Sequence, residues 1–404
     1  MPETPTPTLP RFAGEGEDTD PLPLAQSLIR RRSVTPADDG ALDVVQGALE
    51  LLGFACHRLP FGPPDYRVDN LFARRGTGAP HVMYCGHTDV VPPGDPAAWT
   101  DDPFSATVRD GVLYGRGACD MKGGIAAFIV CLSDFLTANP DHRGSVSLLI
   151  TGDEEARSVD GTARVLEWMA EHGHIPDMAI VGEPTSRRVL GDTIKIGRRG
   201  SLNAWITVHG TQGHSAYPAA ADNPIHRLMA ALTPLLATPL DQGSTHFPPS
   251  TLQVTGFDVG NAATNVIPAT ARAMLNIRFN DHHTSAALTD HLHAALHAAG
   301  ATNTPDAAGA RYELRAECSG ESFLTQPGPF VDAVRRAIAN ATGVEPALDT
   351  GGGTSDARFI ARHCPVVEFG AVGDTLHQVN EHTSVADLRR LAGAYRAILA
   401  ELLT

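Results

Sequence analysis

The stretch His81-Val82-Met83-Tyr84-Cys85-Gly86-His87-Thr88-Asp89 decides the fold. Its apolar run predicts a buried strand that stops at Gly86. His87 and Asp89 lie two residues apart, so on extended backbone their side chains share a face. A carboxylate beside an imidazole can hold the ring's tautomer and leave the other nitrogen free for a metal. His-x-Asp is common by chance. Its weight comes from the acids and the one further histidine that recur at later strand ends and loops.

Upstream, residues 24–32 and 41–52 have helical spacing, with Gly53 placed as a C-cap. Strands are expected over 54–59 and 66–74. Downstream, a short strand runs into Gly115-Arg116-Gly117-Ala118-Cys119-Asp120-Met121-Lys122-Gly123-Gly124 and a helix over 125–136. A strand over 145–151 ends in Gly152-Asp153-Glu154-Glu155, and a helix covers 161–172. A strand over 178–181 ends in Gly182-Glu183-Pro184-Thr185. Strands alternating with helices predict an α/β domain with a mostly parallel sheet. In such sheets ligands bind beyond the carboxyl ends of the strands. His87, Asp120, Glu154, Glu155 and Glu183 all fall there.

The pattern changes near Gly197. Strands over 202–208, 251–257, 269–279 and 312–318, with helices over 224–237 and 285–299, give the order β-α-β-β-α-β. That is a ferredoxin-like unit, inserted into the first domain. A helix over 331–342, a Gly-rich turn over 351–356, a strand over 366–369 and a helix over 385–403 then resume the α/β pattern. The expected division is a tail over 1–23, a first part over 24–198, an insertion over 199–318 and a second part over 319–404.

Composition narrows the function. A chain of 404 residues with 42% apolar and 19% charged content has the make-up of a soluble globular protein. Its net charge of -15 argues against nucleic acid as a partner and obliges an anionic substrate to find a local cluster of arginines. The six cysteines show no C-x-x-C spacing and read as small core residues in a reducing compartment. Residues 1–23, rich in Pro, Thr and Glu, read as a disordered tail rather than a signal peptide. The most apolar stretch, 125–136, is too short to span a bilayer. The expected location is cytoplasmic, with no membrane partner.

The candidate metal ligands are His87, Asp120, Glu155, Glu183 and His377. Two imidazoles and three carboxylates suit zinc or a similar divalent ion. Three carboxylates and one hydroxide carry four negative charges, which two divalent ions balance. Asp120 is the natural bridge, since a carboxylate has two oxygens to share. Two ions can lower the pKa of a shared water to about 7 and polarise a carbonyl. Glu154, beside Glu155 at a strand-end turn, is the expected general base. The glycines around Arg116 match neither phosphate-loop pattern, so nucleotide binding is not expected. His291, His293 and His297 are expected on an exposed helix face.

Gly86-His87-Thr88-Asp89-Val90-Val91-Pro92 and Gly115-Arg116-Gly117-x-x-Asp120-Met121-Lys122-Gly123 resemble the dinuclear zinc family of aminoacylases and carboxypeptidase-type metallopeptidases. The stretches at 182–185, 197–201, 213–218, 265–268, 351–359 and 377–381 look more like its desuccinylase branch. The likeness runs from about Leu24 to the C-terminus. It implies two zinc ions per subunit, with cobalt an alternative in one site. His87, Asp120 and Glu183 would hold one, and Asp120, Glu155 and His377 the other. Asp89 would orient His87, and the Asp120-Met121 peptide would be cis. Arg198, Asn265, Arg278, Thr354 and Ser355 would bind the carboxylates of an anionic substrate. His214 would cross a homodimer, with Asn265, to stabilise the partner's oxyanion. The implied reaction is hydrolysis of N-succinyl-LL-2,6-diaminopimelate to succinate and LL-2,6-diaminopimelate. Acetylornithine deacetylase or broad aminoacylase activity is the alternative, and a non-catalytic metal-binding homologue the less favoured one.

Overall fold

A computed structural model describes residues 19–303 and 310–404. Its contacts divide the chain into two compact units. One comprises residues up to Ile196, Thr325–Asp349 and Ser355–Thr404; the other comprises Gly197–Leu324 and Thr350–Thr354.

The first unit is built on strand His81–His87, every residue of which is buried. It lies parallel to Ser145–Thr151 on one side and to Met178–Val181 on the other. An apolar run buried on both faces can occupy the centre of a sheet but not an edge. The strand passes Gly86 and ends one residue later than expected, at His87. The full sheet has eight strands and is mixed: Leu71–Arg75 and Ala55–Arg58 add antiparallel at one side, and Val366–Glu368, Thr193–Lys195 and Ala347–Asp349 continue the other. Helix Lys122–Ala138 is buried almost all round from Lys122 to Leu132, because it packs against both the central strand and helix Val385–Leu403. Tyr84 stacks on Phe128 with ring centroids 4.0 Å apart, and the Tyr395 hydroxyl donates to the Phe369 carbonyl at 2.8 Å. Helix Val385–Leu403 starts where the Ser384 hydroxyl accepts the Asp387 amide, an N-cap worth about 1 kcal/mol.

The tail expected over 1–23 lies outside the described residues as far as 18. From Thr19 onward the chain makes contacts with the rest of the first unit. The Thr19 hydroxyl donates to Asp134 at 2.8 Å, Arg389 pairs with Asp20 at 2.8 Å, and a helix spans Leu22–Ile29.

The second unit is a five-stranded sheet backed by helices Pro224–Ala237 and Ser285–Ala298. Strands Gly200–His209 and Thr270–Phe279 alternate buried residues with half-buried or exposed ones, as a one-sided sheet requires. Leu202, Ala204, Ile206 and Val208 meet Leu288, Leu292 and Leu296, which recur every four residues on one helix face. Each such leucine contributes about 1.5–3 kcal/mol by leaving water. A short strand, Ala301–Thr302, adds parallel to the start of Ala310–Gly320 and extends the expected β-α-β-β-α-β order. His293 and His297 are not simply an exposed face: their rings hold the Tyr312 hydroxyl at 2.7 and 3.1 Å. The six cysteines are free; Cys85, Cys119, Cys131 and Cys364 are buried, and Cys318 is exposed. Among the described residues, no helix is long and apolar enough to cross a membrane.

Candidate active site

Five segments of the first unit bring their polar ends together. His87 ends the central strand, Glu154 and Glu155 follow Ser145–Thr151, and Glu183 follows Met178–Val181. Asp120 precedes helix Lys122–Ala138, and His377 sits in the loop before strand His382–Ser384. Asp120 lies between the two imidazoles, its Oδ1 3.2 Å from His87 Nε2 and its Oδ2 3.1 Å from His377 Nε2. Glu155 Oε1 is 2.9 Å from His377 Nε2, and Glu183 Oε1 is 3.8 Å from His87 Nε2. Ligand atoms of His87, Asp120 and Glu155 lie within 4.8 Å of one another, as do those of His87, Glu154 and Glu183. His377 adopts φ +61°, a conformation that costs a non-glycine residue free energy and is kept where the surroundings impose it. The Asp120-Met121 peptide is cis.

His87 departs from expectation in its partner. Its Nδ1 lies 2.9 Å from the main-chain carbonyl of Asp89, whereas the Asp89 carboxylate is 3.6 Å away. A carbonyl only accepts, so Nδ1 donates to it and Nε2 faces the acids. The Asp89 carboxylate instead accepts the amides of Glu154 at 3.3 Å and Glu155 at 3.0 Å. The side chain thus shapes the turn that carries both glutamates.

Charge crowding sets the protonation states. Burial alone would push the His87 imidazole down, but its hydrogen bond to Asp120 and the surrounding carboxylates hold it well above its usual value. Hydrogen bonds to Asp120 and Glu155 raise His377 to about 10. Burial would raise Asp120, yet hydrogen bonds from His377 and His87 keep it below the usual carboxylate range. Glu154 moves the other way: burial and the neighbouring Glu183 charge raise it well above the usual value. Burial pushes Asp89 up to about 7, against the pull of His87. The imidazoles are the cations in this cluster, and a divalent ion facing the same oxygens does the same electrostatic work.

Two buried groups behind the cluster have internal roles that sequence reading did not assign: Glu381, and Ser355, which was expected at the substrate. Glu381 is fully buried, and its Oε2 accepts Arg116 Nη1 at 2.7 Å. Ser355 is buried with its hydroxyl donating to Glu368 at 2.8 Å, so that oxygen is committed inside the protein. The signal for the Glu381 pair was its place four residues after His377, within the quoted 377–381 stretch.

The remaining expected residues lie mostly in the second unit. Arg198 donates to the Gly353 carbonyl at 3.1 Å, and Arg278 donates to Asn276 at 3.2 Å. Burial and the charge of Arg199 pull Arg278 below the usual guanidinium value. Thr354 is half-buried in the Gly-rich turn and Asn265 is exposed, with its carbonyl accepting the Ser215 amide at 2.9 Å. His214 is exposed and pairs through its strand with Val266. Its Nδ1 accepts the Ala216 amide at 3.0 Å, which leaves Nε2 as the donor of the neutral ring.

A mixed α/β sheet that gathers carboxylates and imidazoles at the carboxyl ends of its strands has the architecture of a peptidase-type hydrolase. The chain belongs to peptidase family M20/M25/M40, whose model matches residues 83–401. It is 57% identical over 385 residues to a succinyl-diaminopimelate desuccinylase of Gluconacetobacter diazotrophicus, a match covering 95% of this chain and 97% of that one. It is 56% identical over 381 residues to the succinyl-diaminopimelate desuccinylase of Rhodospirillum centenum, covering 94% and 96%. An M20 family metallo-carboxypeptidase of Sulfolobus solfataricus superimposes with a TM-score of 0.73 over 95% of this chain and 98% of that one; at 19% identity it speaks for the fold alone.

Proposed function

We propose that the chain hydrolyses the amide of N-succinyl-LL-2,6-diaminopimelate, giving succinate and LL-2,6-diaminopimelate. The carrying observation is the half-buried Glu154 carboxyl, raised by its surroundings and within 4.8 Å of ligand atoms on His87 and Glu183. A carboxyl tuned upward beside a metal-type cluster suits general-base work near neutral pH. The acyl group is read from relatives 56–57% identical over nearly the whole chain.

The donor set fits two divalent ions, because Asp120 offers one oxygen toward each imidazole. His87, Asp120 and Glu183 would hold one ion, and Asp120, Glu155 and His377 the other, with zinc the metal that two imidazoles and three carboxylates suit best. Bound there, the ions would acidify water and polarise the scissile carbonyl. Glu154 takes the proton of the attacking water and passes it to the leaving amine nitrogen. Asp89 holds the Glu154–Glu155 turn through its two amides. Arg198 and Arg278 bind substrate carboxylates, where guanidinium gives bidentate recognition in an acidic protein. Asn265 and Thr354 complete that contact, with Ser355 contributing through its neighbours. His214 Nε2 donates to the oxyanion across a homodimer, and the enzyme works in the cytoplasm.

The test is kcat/KM for N-succinyl-diaminopimelate against N-acetylornithine with zinc present. The succinyl substrate should win, and preference for the acetyl substrate overturns the reading.

A further inference from the structure

The strand pair Val112–Tyr114 and His382–Ser384 brings two loops side by side, one leading to Asp120 and one leaving His377. Between them lies Glu381, with no exposed surface. A buried carboxylate a few residues from candidate ligands could itself turn into the cluster. Its oxygens are instead fully engaged. Oε2 accepts Arg116 Nη1 at 2.7 Å and the Gly117 amide at 3.1 Å, while Oε1 accepts the amides of Cys119 and Asp120, each at 3.1 Å. Arg116 also reaches the carbonyls of Gln378 at 3.3 Å and His377 at 3.4 Å. The turn that presents these amides needs Gly117, whose φ of +86° and close contact with Val90 exclude a side chain.

We infer that Glu381 is a positioning residue that sets both candidate metal-ligand loops from one carboxylate, fixing Asp120 through its own amide and the His377 loop through Arg116. The inference rests on the two-metal reading above. Its physical basis is that a carboxylate accepting several N–H groups is held in one orientation, and charge-assisted bonds in a dry interior are strong. Asp120 Oδ1 and Oδ2 must face opposite imidazoles at 3.2 and 3.1 Å, and a turn free to rotate could not keep both. Glu381 touches neither imidazole nor substrate, so its effect passes through the backbone of Asp120.

The experiment is hydrogen exchange on the full chain, read on the 116–121 segment. In metal-free wild-type protein that segment should already be protected, and zinc loading should add little. Free exchange until zinc arrives would mean that the metal builds the turn, and would overturn the inference. Glu381→Gln replaces one acceptor oxygen with a donor facing N–H groups. Exchange of the segment should accelerate while strand Ser145–Thr151 stays protected, and the Kd for zinc should rise about 10–100-fold. Wild-type exchange and wild-type Kd in this variant would also overturn it. If the variant loses protection at 145–151, Glu381→Asp is read by the same criteria, and the wild-type arm stands without either variant. Wild-type protein that binds no zinc would remove the two-metal reading, yet the metal-free exchange would still report whether Glu381 fixes the turn.

Discussion

The Asp89 carboxylate accepts the backbone N–H of Glu155 at 3.0 Å, while the carbonyl of the same Asp89 receives the His87 ring at 2.9 Å. One residue therefore orients an imidazole with its main chain and a glutamate turn with its side chain. Asp89→Asn keeps the carbonyl and the volume but aims a donor at an amide. The His87 contact should survive and the turn should loosen, so kcat should fall about 10–100-fold with metal content unchanged. Steady-state kinetics beside elemental analysis checks this. Loss of one ion would instead assign the side chain to His87.

Glu154 is half-buried among acids and held protonated more readily than an ordinary glutamate. Glu154→Gln keeps the shape and removes the base. It should retain two ions per chain and lose about 10²–10⁴ in kcat, the usual contribution of a placed general base. Near-normal turnover would give the proton transfer to another group.

The sequence carried most of the frame because its strongest patterns were local. Strands Ser145–Thr151 and Met178–Val181 fall where they were expected, the second on an unbroken apolar run, and helix Thr162–Glu171 sits inside the expected 161–172. Strand Val112–Tyr114 is the short strand expected before Gly115, whereas Thr107–Arg109 and His382–Ser384 went unread, since each is three residues long and the latter pairs with a distant partner. The candidate ligands were legible as acids and histidines at strand ends. Glu381 and Ser355 were not read in their internal roles, because hydrogen bonds within the protein leave no periodic trace. Asp89 was noticed for its spacing from His87, and spacing cannot tell a carbonyl contact from a carboxylate one.

His81, at the other end of the central strand, gives a pH dependence away from the cluster. It is 4% exposed, and its Nε2 lies 2.7 Å from the Ser147 hydroxyl. Burial, with the charge of Arg74, pushes it down to about 4. The unfolded chain would protonate near 6.5, so between pH 6.5 and 4 the unfolded state binds a proton that the folded state refuses. Stability should therefore be full above pH 6.5 and decline by roughly 2–3 kcal/mol as pH falls toward 4. His81→Gln keeps a hydrogen-bonding side chain that does not titrate. In metal-free protein its denaturation midpoint should fall less steeply over this window than that of wild type. Parallel curves would mean that the ring protonates in place.

His214 tests the proposed assembly. It belongs to the second unit, is exposed, and keeps Nε2 as a donor because Nδ1 accepts the Ala216 amide at 3.0 Å. All five candidate metal ligands belong to the first unit. A donor placed on the oxyanion contributes roughly 2.7–4 kcal/mol, so His214→Ala should lower kcat about 10²–10³-fold with metal content intact. If the donor serves the partner subunit, activity should return when inactive Glu154→Ala and inactive His214→Ala are mixed under conditions that exchange subunits. Each mixed dimer then holds one site with its own Glu154 and a His214 supplied by the partner. About half of the dimers are mixed at equal ratio and each has one competent site of two, so roughly a quarter of wild-type activity is expected if sites act independently. If His214 serves its own chain, every mixed dimer has one site lacking the base and one lacking the donor, and the mixture stays at the level of its parents. Sedimentation of the wild-type protein distinguishes that outcome from a monomer, for which no exchange could restore activity.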